Sequence, residues 1–259
     1  MVPVARLAGV VGRGVRECPV HRCRPHAGSA PLTDIPTGRY PRGVVNARTR
    51  PVDAVVLDWG GVMTVPVPAF VDSWLTAERI DRERYTTTLR AWMGRSAPPD
   101  TPVARLETGE LPVAEFEALL AAELTTLDGT PVPAPGLLRR MFGQAHPDPA
   151  MVDLVRSARA AGLTTALLSN SWGEGYPEQL LLELFDVVVV SGRVGLRKPD
   201  PAIFAHTVDR VGAPASRCAF FDDMPGNVEG ARAAGLLAHR HTSADETRRV
   251  LESLLGGAL

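Results

Sequence analysis

Residues 54–64 read Ala-Val-Val-Leu-Asp-Trp-Gly-Gly-Val-Met-Thr, and this stretch decides the fold. Its four leading apolar residues run directly into Asp58, and Gly60 and Gly61 follow closely. An uninterrupted apolar run of this length predicts a strand buried on both faces of a parallel sheet. Such a strand ends at the carboxyl edge of the sheet, where open α/β folds keep their ligand sites. We therefore expect Asp58 at that edge, with the two glycines turning the backbone tightly beside it.

After residue 147 the chain alternates between amphipathic and apolar segments. Helices are expected near residues 149–161, 177–185, 202–211 and 226–234. Further strands are expected at residues 163–168, 187–190, 218–221 and 236–239. This alternation predicts an α/β fold with a doubly wound parallel sheet. Right-handed crossovers would bring every strand end to one side of the sheet.

Between the first and second strands the apolar residues recur at helical spacing instead. Proline and glycine interrupt this segment several times, which predicts several short helices. We expect residues 66–146 to form an all-helical cap over the strand ends. Residues 51–65 and 147–259 then form the α/β core.

Residues 1–50 differ from the remainder of the chain in charge. They carry a net charge of +7, against −8 for the rest, and show no sustained apolar period. This composition predicts a disordered basic extension. Two cysteines and two histidines in it match no standard zinc pattern, so no zinc site is predicted. These residues are Cys18, His21, Cys23 and His26.

The whole chain of 259 residues has a net charge of −1, which gives no argument for a nucleic-acid or membrane partner. No stretch approaches the length of a membrane span. The third cysteine, Cys218, lies in an apolar run and is expected in the core. We therefore expect a cytoplasmic monomer or homodimer. An apolar content of 45% is sufficient for a sizeable core.

Polar side chains follow four of the five predicted strands, directly or, for Lys198, in the loop after the third strand. They are Asp58, Ser169-Asn170, Lys198 and Asp222-Asp223. Carboxylates from two strands at one edge repel each other unless a cation joins them, and oxygen ligands of this kind suit Mg²⁺. A hydroxyl, an ammonium group and free backbone amides together suit a phosphate dianion.

Lys198 has a further distinction, because it is the only lysine among 28 basic residues. Arginine occupies every other basic position, so this position is expected to need a compact ammonium group. A planar guanidinium would not serve there in the same way.

Four motifs in this order resemble the haloacid dehalogenase superfamily. They are V-V-L-D-W-G-G-V (55–62), L-L-S-N-S-W (167–172), G-L-R-K-P-D-P-A-I-F (195–204) and F-F-D-D-M-P-G-N (220–227). Within the superfamily the chain is most similar to small phosphatases with a helical cap after the first strand. The amino-terminal phosphatase domain of soluble epoxide hydrolases is one of these. The resemblance covers about residues 52–245.

The resemblance implies that Asp58 is a nucleophile that attacks phosphorus and forms an aspartyl-phosphate. It also implies that Mg²⁺ is held by Asp58, the carbonyl of Gly60 and Asp223. Asp222 would bind the metal directly or through water. The substrate class implied is a small phosphorylated metabolite.

The phosphate ligands implied by the resemblance are Ser169 and the Asn170 amide. Lys198 would neutralise charge on the nucleophile and the phosphate, and Asn227 would support the metal-binding loop. Catalysis would then rest on positioning and charge stabilisation.

Gly60 departs from the pattern of most phosphatases in the superfamily, which have an aspartate there as general acid. A general acid typically contributes about 10²–10⁴ in rate, so substrates with good leaving groups are expected to be favoured. Two alternatives remain open. One is a non-catalytic module that binds phosphorylated ligands or a partner. The other is a 2-haloacid dehalogenase, which the acidic pair Asp222-Asp223 argues against because those enzymes dispense with Mg²⁺.

Overall fold

The computed structural model of the chain describes residues 51–94, 96–173 and 175–259. The predictions made for residues 1–50, namely disorder and the lack of a zinc site, lie outside the described residues. Within them, no helix is both long enough and apolar enough to cross a lipid bilayer.

Five parallel strands form one sheet in the order β3-β2-β1-β4-β5. The strands are β1 (Ala54–Leu57), β2 (Thr164–Ser169), β3 (Val187–Val190), β4 (Cys218–Asp222) and β5 (Leu237–Arg240). The apolar stretch Ala54–Leu57 is therefore the central strand. Helices pack against both faces of the sheet, so the predicted doubly wound α/β fold is confirmed.

The helices fall into two groups along the chain. Those between β1 and β2 are α1 (Val67–Ala77), α2 (Arg82–Met93), α3 (Pro102–Glu107), α4 (Val113–Glu123), α5 (Leu137–Met141) and α6 (Pro149–Ala160). Those after β2 are α7 (Glu178–Leu184), α8 (Ser191–Val194), α9 (Pro201–Val211), α10 (Pro225–Ala233) and α11 (Ala244–Leu255). Helix α11 was not predicted; Ser243 caps its first turn, and Leu251 is buried in the core.

Side chains of β1 alternate between two apolar clusters, one on each face of the sheet. Val55 and Leu57 pack in the cluster that α6, α7 and α11 cover. Ala54 and Val56 pack in the opposite cluster, under α9 and α10. Burial on both faces explains why this strand has an uninterrupted apolar sequence. Cys218 lies in the second cluster, fully buried as expected.

Helices α1–α5 have an apolar cluster of their own. Phe116 and Leu120 of α4 are fully buried in it, as is Leu137 of α5. We call α1–α5 and their connections the helical insertion. Trp172, which follows β2 in the α/β core, packs edge-on against Phe116 with ring centroids 5.5 Å apart. The insertion therefore rests on a core residue that lies just beyond a strand end.

Candidate active site

The central pair of strands brings two aspartates side by side at the carboxyl edge of the sheet. Leu57 of β1 is in register with Phe221 of β4, and the next residues along are Asp58 and Asp222. The Asp58 N–H donates to the Phe221 carbonyl at 3.0 Å, which continues the ladder to the site. The sheet register thus places both carboxylates together, as the parallel strands predicted.

The backbone turns immediately after Asp58, and only one of the two glycines is needed for the turn. Gly61 has a φ of +74°, and a Cβ there would lie 2.6 Å from Oδ2 of Asp223. Gly60 has a φ of −68°, which any residue can adopt. A Cβ at Gly60 would meet nothing closer than Val67 Cγ2 at 3.8 Å. The expectation that both glycines serve the turn is therefore wrong for Gly60.

Lys198 lies fully buried between the two aspartates. Its Nζ is 2.8 Å from Oδ1 of Asp58 and 2.6 Å from Oδ2 of Asp222. The third N–H donates to the Leu168 carbonyl at 2.9 Å. Burial alone would lower the pKa of this ammonium group, but the two carboxylates outweigh burial and raise it. Lys198 is therefore a permanent positive charge with all three donors in use.

Asp222 is held by donors on both of its oxygens. Oδ1 accepts from the Met224 N–H at 2.8 Å and from Nδ2 of Asn227 at 3.0 Å. Oδ2 accepts from Lys198, and Nδ2 of Asn227 lies 3.1 Å from it. The predicted supporting residue Asn227 thus acts on Asp222, which is completely buried. Asp222 has little freedom to reorient toward another ligand.

Asp58, Asp222 and Asp223 form an acidic cluster in which one carboxylate oxygen from each lies within 4.8 Å of the others. Burial, followed by the charge of Asp222, raises the pKa of Asp223 to about 6. Burial also raises the pKa of Asp58, against the opposing effect of Lys198. Three carboxylates this close, two of them buried and one half-buried, favour a further cation, and an all-oxygen donor set fits a hard ion such as Mg²⁺.

The two oxygens of Asp58 have different surroundings. Oδ1 accepts from the Trp59 N–H at 2.7 Å and from Lys198. Within the part of the chain that the structure describes, Oδ2 receives no hydrogen bond. Oδ2 is therefore the oxygen left for chemistry or for a ligand. Two donors meanwhile fix the orientation of the carboxylate.

Ser169 ends β2 at the same edge and has a partner that sequence reasoning missed. Its hydroxyl lies 2.9 Å from the hydroxyl of Tyr176. Burial raises the pKa of the Tyr176 phenol. The hydrogen bond with Ser169 lowers this pKa, and the charge of Asp58 raises it further. This phenol therefore stays protonated, and it adds a second hydroxyl beside the acidic cluster. No motif in the sequence distinguishes Tyr176 from other loop residues.

Asn170 follows Ser169, and its side chain is committed to the chain itself. Nδ2 donates to the Lys198 carbonyl and to Oε2 of Glu107, both at 3.0 Å. Oδ1 accepts from the Lys198 N–H at 2.9 Å. Sequence reasoning also missed Glu107, a residue of the helical insertion. A signal was present, because Glu107 occupies a helical position four residues after the buried Val103, where an apolar residue is expected.

The structure brings all eight predicted site residues to one edge of the sheet. They are Asp58, Gly60, Ser169, Asn170, Lys198, Asp222, Asp223 and Asn227. Direct hydrogen bonds form a continuous network that runs from Asn227 to Asp222, then to Lys198 and then to Asp58. The arrangement combines an oriented carboxylate, a fixed ammonium group and an acidic cluster able to hold a cation.

Comparison with known proteins extends this description. The family model described as haloacid dehalogenase-like hydrolase matches residues 52–235. A phosphatase of Mycobacterium tuberculosis, MT3486, is 32% identical over 208 residues, which are 76% of this chain and 90% of that protein. Bifunctional epoxide hydrolase 2 of Sus scrofa is 26% identical over 221 residues, which are 78% of this chain but only 39% of that protein.

Solved structures share the fold. A crystal structure of a HAD family enzyme from Bacteroides thetaiotaomicron superposes with a TM-score of 0.58 at 16% identity, covering 78% of this chain and 99% of that one. The same enzyme in complex with magnesium and inorganic phosphate superposes with a TM-score of 0.50 at 17% identity, covering 74% and 94%. At these identities the similarity concerns the fold.

Proposed function

The chain belongs to the haloacid dehalogenase-like hydrolases, and from this premise we propose that it is a magnesium-dependent phosphatase acting on a small phosphorylated metabolite. The observation that carries the proposal is the arrangement around Asp58. One of its oxygens is held by Lys198 and the Trp59 N–H, and the other is open.

In the proposed reaction Oδ2 of Asp58 attacks phosphorus while the bond between phosphorus and the leaving oxygen breaks. The product of this step is an aspartyl-phosphate. Water then attacks the same phosphorus atom, inorganic phosphate leaves, and the carboxylate is restored. A covalent route of this kind replaces one difficult step with two easier ones.

Lys198 stabilises the charge that develops during both steps. Its ammonium group touches the nucleophile at 2.8 Å, and its buried position strengthens the interaction because little water screens it. The Ser169 hydroxyl and the backbone N–H of Asn170 are proposed to bind phosphate oxygens. Tyr176 can donate to Ser169, which leaves the serine proton free to point at phosphate.

The acidic cluster is proposed to hold Mg²⁺ through Asp58 and Asp223, with the Gly60 carbonyl nearby. Asp222 is less free to bind it, because its oxygens already accept from Lys198, Asn227 and a backbone N–H. When bound, the ion neutralises charge on phosphate oxygens. The magnesium and phosphate complex of the Bacteroides enzyme and the phosphatase among the relatives support this assignment.

The helical insertion is proposed to act as a cap that selects the substrate, with residues 66–146 as its extent. Gly60 offers no side chain to protonate the leaving group. Substrates whose leaving groups depart without help are therefore favoured. The absence of a carboxylate at this position also supports one competing function, a module that binds phosphorylated ligands without turnover. The acidic pair Asp222-Asp223 at the end of β4 still argues against a dehalogenase.

One experiment separates these functions. Purified protein is mixed with an aryl phosphate in the presence of Mg²⁺ and, in parallel, in excess chelator. The proposal expects hydrolysis with Mg²⁺ and none in chelator. Binding of inorganic phosphate with no turnover would instead support the binding module, and full turnover in chelator would remove the metal from the reaction.

A further inference from the structure

Glu107 is a buried carboxylate of the helical insertion whose partners all lie in the α/β core. Only 3% of the residue is exposed. Its Oε1 accepts from Nε1 of Trp172 at 2.8 Å. Its Oε2 accepts from Asn170 at 3.0 Å and from Nε of Arg197 at 2.6 Å. Its carbonyl accepts from the Ser191 hydroxyl.

These contacts join three separate segments of the core. Asn170 and Trp172 follow β2, Ser191 follows β3, and Arg197 directly precedes Lys198. The partners lie 63 to 90 residues away in sequence, so these contacts form only when the insertion is docked on the core. A buried carboxylate with this many donors keeps one orientation, because each lost bond would leave a polar group unsatisfied.

The ordering effect passes from Glu107 to the catalytic lysine through Asn170. The Asn170 side chain bonds to Glu107 on one side and to both the N–H and the carbonyl of Lys198 on the other. Only one orientation of the Asn170 amide satisfies all three contacts, since the carboxylate and the carbonyl both require the NH₂ end. The two main-chain contacts with Lys198 already require this orientation, and Glu107 holds the same NH₂ group from the other side. Glu107 therefore reinforces the position of the Asn170 side chain and, through it, the backbone from which the Lys198 side chain enters the site.

Close backbone packing holds the turn after Glu107 against the core. Gly109 has a φ of +78°, and a Cβ there would lie 2.5 Å from the Gly192 carbonyl oxygen. The indole of Trp172 adds an apolar contact to the same region, because it packs against Phe116 of the insertion while its N–H binds Glu107.

We propose that Glu107 is a positioning residue that completes the active site from the helical insertion, by orienting Asn170 and the main chain of Lys198. This inference rests on the proposed phosphatase function and extends it. It makes the insertion part of the apparatus that positions Lys198 in addition to any part it has in choosing the substrate.

Glu107→Gln tests the proposal, because it keeps the shape of the side chain and removes its charge and one acceptor. The chain offers a matched control in Glu117, a second buried carboxylate of the insertion. Its oxygens accept from the N–H groups of Gly136 and Leu138, both at 2.9 Å and both within the insertion. Glu117→Gln therefore loosens the insertion without touching the core segments.

We expect Glu107→Gln to lower kcat by about 10- to 100-fold, as loss of an outer supporting partner typically does, with a smaller effect on KM. Glu117→Gln should lower the melting temperature and leave kcat unchanged. Arg197→Met should lower kcat as well. The Glu107→Gln, Arg197→Met double variant should lose less than the product of the two single losses, because the two residues act together.

Two readouts do not depend on turnover. The indole N–H resonance of Trp172 should move in Glu107→Gln and stay in place in Glu117→Gln. The affinity for inorganic phosphate in Mg²⁺ should fall only in Glu107→Gln. If wild type binds phosphate but does not hydrolyse aryl phosphate, the proposed phosphatase function is refuted. The phosphate affinity of Glu107→Gln relative to wild type would still decide the role of Glu107. If Glu107→Gln matches Glu117→Gln in kcat and phosphate affinity, Glu107 only stabilises the fold and the proposal is overturned.

Discussion

Replacing Lys198 with methionine removes the charge that holds the two central aspartates together. Methionine keeps a similar length and flexibility, so the main loss is the ammonium group with its three hydrogen bonds. The variant leaves Asp58 and Asp222 buried beside each other, with 8% and 0% of these residues exposed, and without a positive partner between them. Both carboxylates then lose the interaction that offsets their burial.

The expected cost follows from the burial of the ammonium group. Removing one partner of a buried ion pair typically destabilises a protein by about 3–5 kcal/mol. For a domain of this size, each kcal/mol lowers the melting temperature by roughly 2–4 °C. In chelator, Lys198→Met should therefore melt about 6–20 °C below wild type.

The assay is thermal unfolding followed by circular dichroism in excess chelator, so that no metal compensates the aspartates. Arg217→Met is the matched control, because Arg217 and Asp53 form an ion pair between the residues that directly precede β4 and β1, but about a third of each side chain is exposed. Solvent screens such a pair, so the control should lose much less stability. A loss of under about 1 kcal/mol in Lys198→Met would refute the claim that this ammonium holds the aspartates together.

Three further predictions concern the turn after β1 and its neighbours. Gly61→Ala should abolish most turnover and lower the melting temperature, because the residue has a φ of +74° and the new Cβ would collide with Asp223. A turnover rate and a melting temperature near those of wild type would contradict this. Across aryl phosphates, wild-type kcat/KM should fall steeply as the pKa of the leaving group rises, and Gly60→Asp should make this dependence shallower, because the backbone at Gly60 accepts a side chain. A shallow dependence in wild type would mean that another residue donates the proton. Tyr176→Phe should lower kcat/KM by a similar factor for every leaving group, because its hydroxyl contacts Ser169; a loss that grows with leaving-group pKa would instead identify Tyr176 as that donor.

The strands and the residues at their ends were predictable from the sequence for a physical reason. A strand buried on both faces is mainly apolar, and the polar residue at which its apolar run ends marks the edge of the sheet. Asp58 directly follows β1, and Ser169 and Asp222 are the last residues of β2 and β4. The structure confirms the fold and its five parallel strands, with boundaries that differ by a residue or two from those expected.

The interactions between segments were much harder to predict. The resemblance places Lys198 beside the nucleophile and the phosphate, but nothing in the sequence indicates that its ammonium group bridges Asp58 to Asp222. Glu107 reaches Asn170 across 63 residues, and no local pattern encodes such a contact. Local periodicity predicts which face of a helix or strand is buried, but it does not predict which distant polar group that face contacts.

The central claim is that Asp58 is the nucleophile of a magnesium-dependent phosphatase, and Asp58→Asn tests it most directly. Asparagine keeps the shape of the side chain and removes the charge needed to attack phosphorus. The measurement is hydrolysis of an aryl phosphate in saturating Mg²⁺ by wild type and variant, with circular dichroism to verify that both are folded. Wild type should show Mg²⁺-dependent turnover, and the folded variant should show only background hydrolysis. Turnover by Asp58→Asn at more than about a tenth of the wild-type rate would contradict the covalent mechanism.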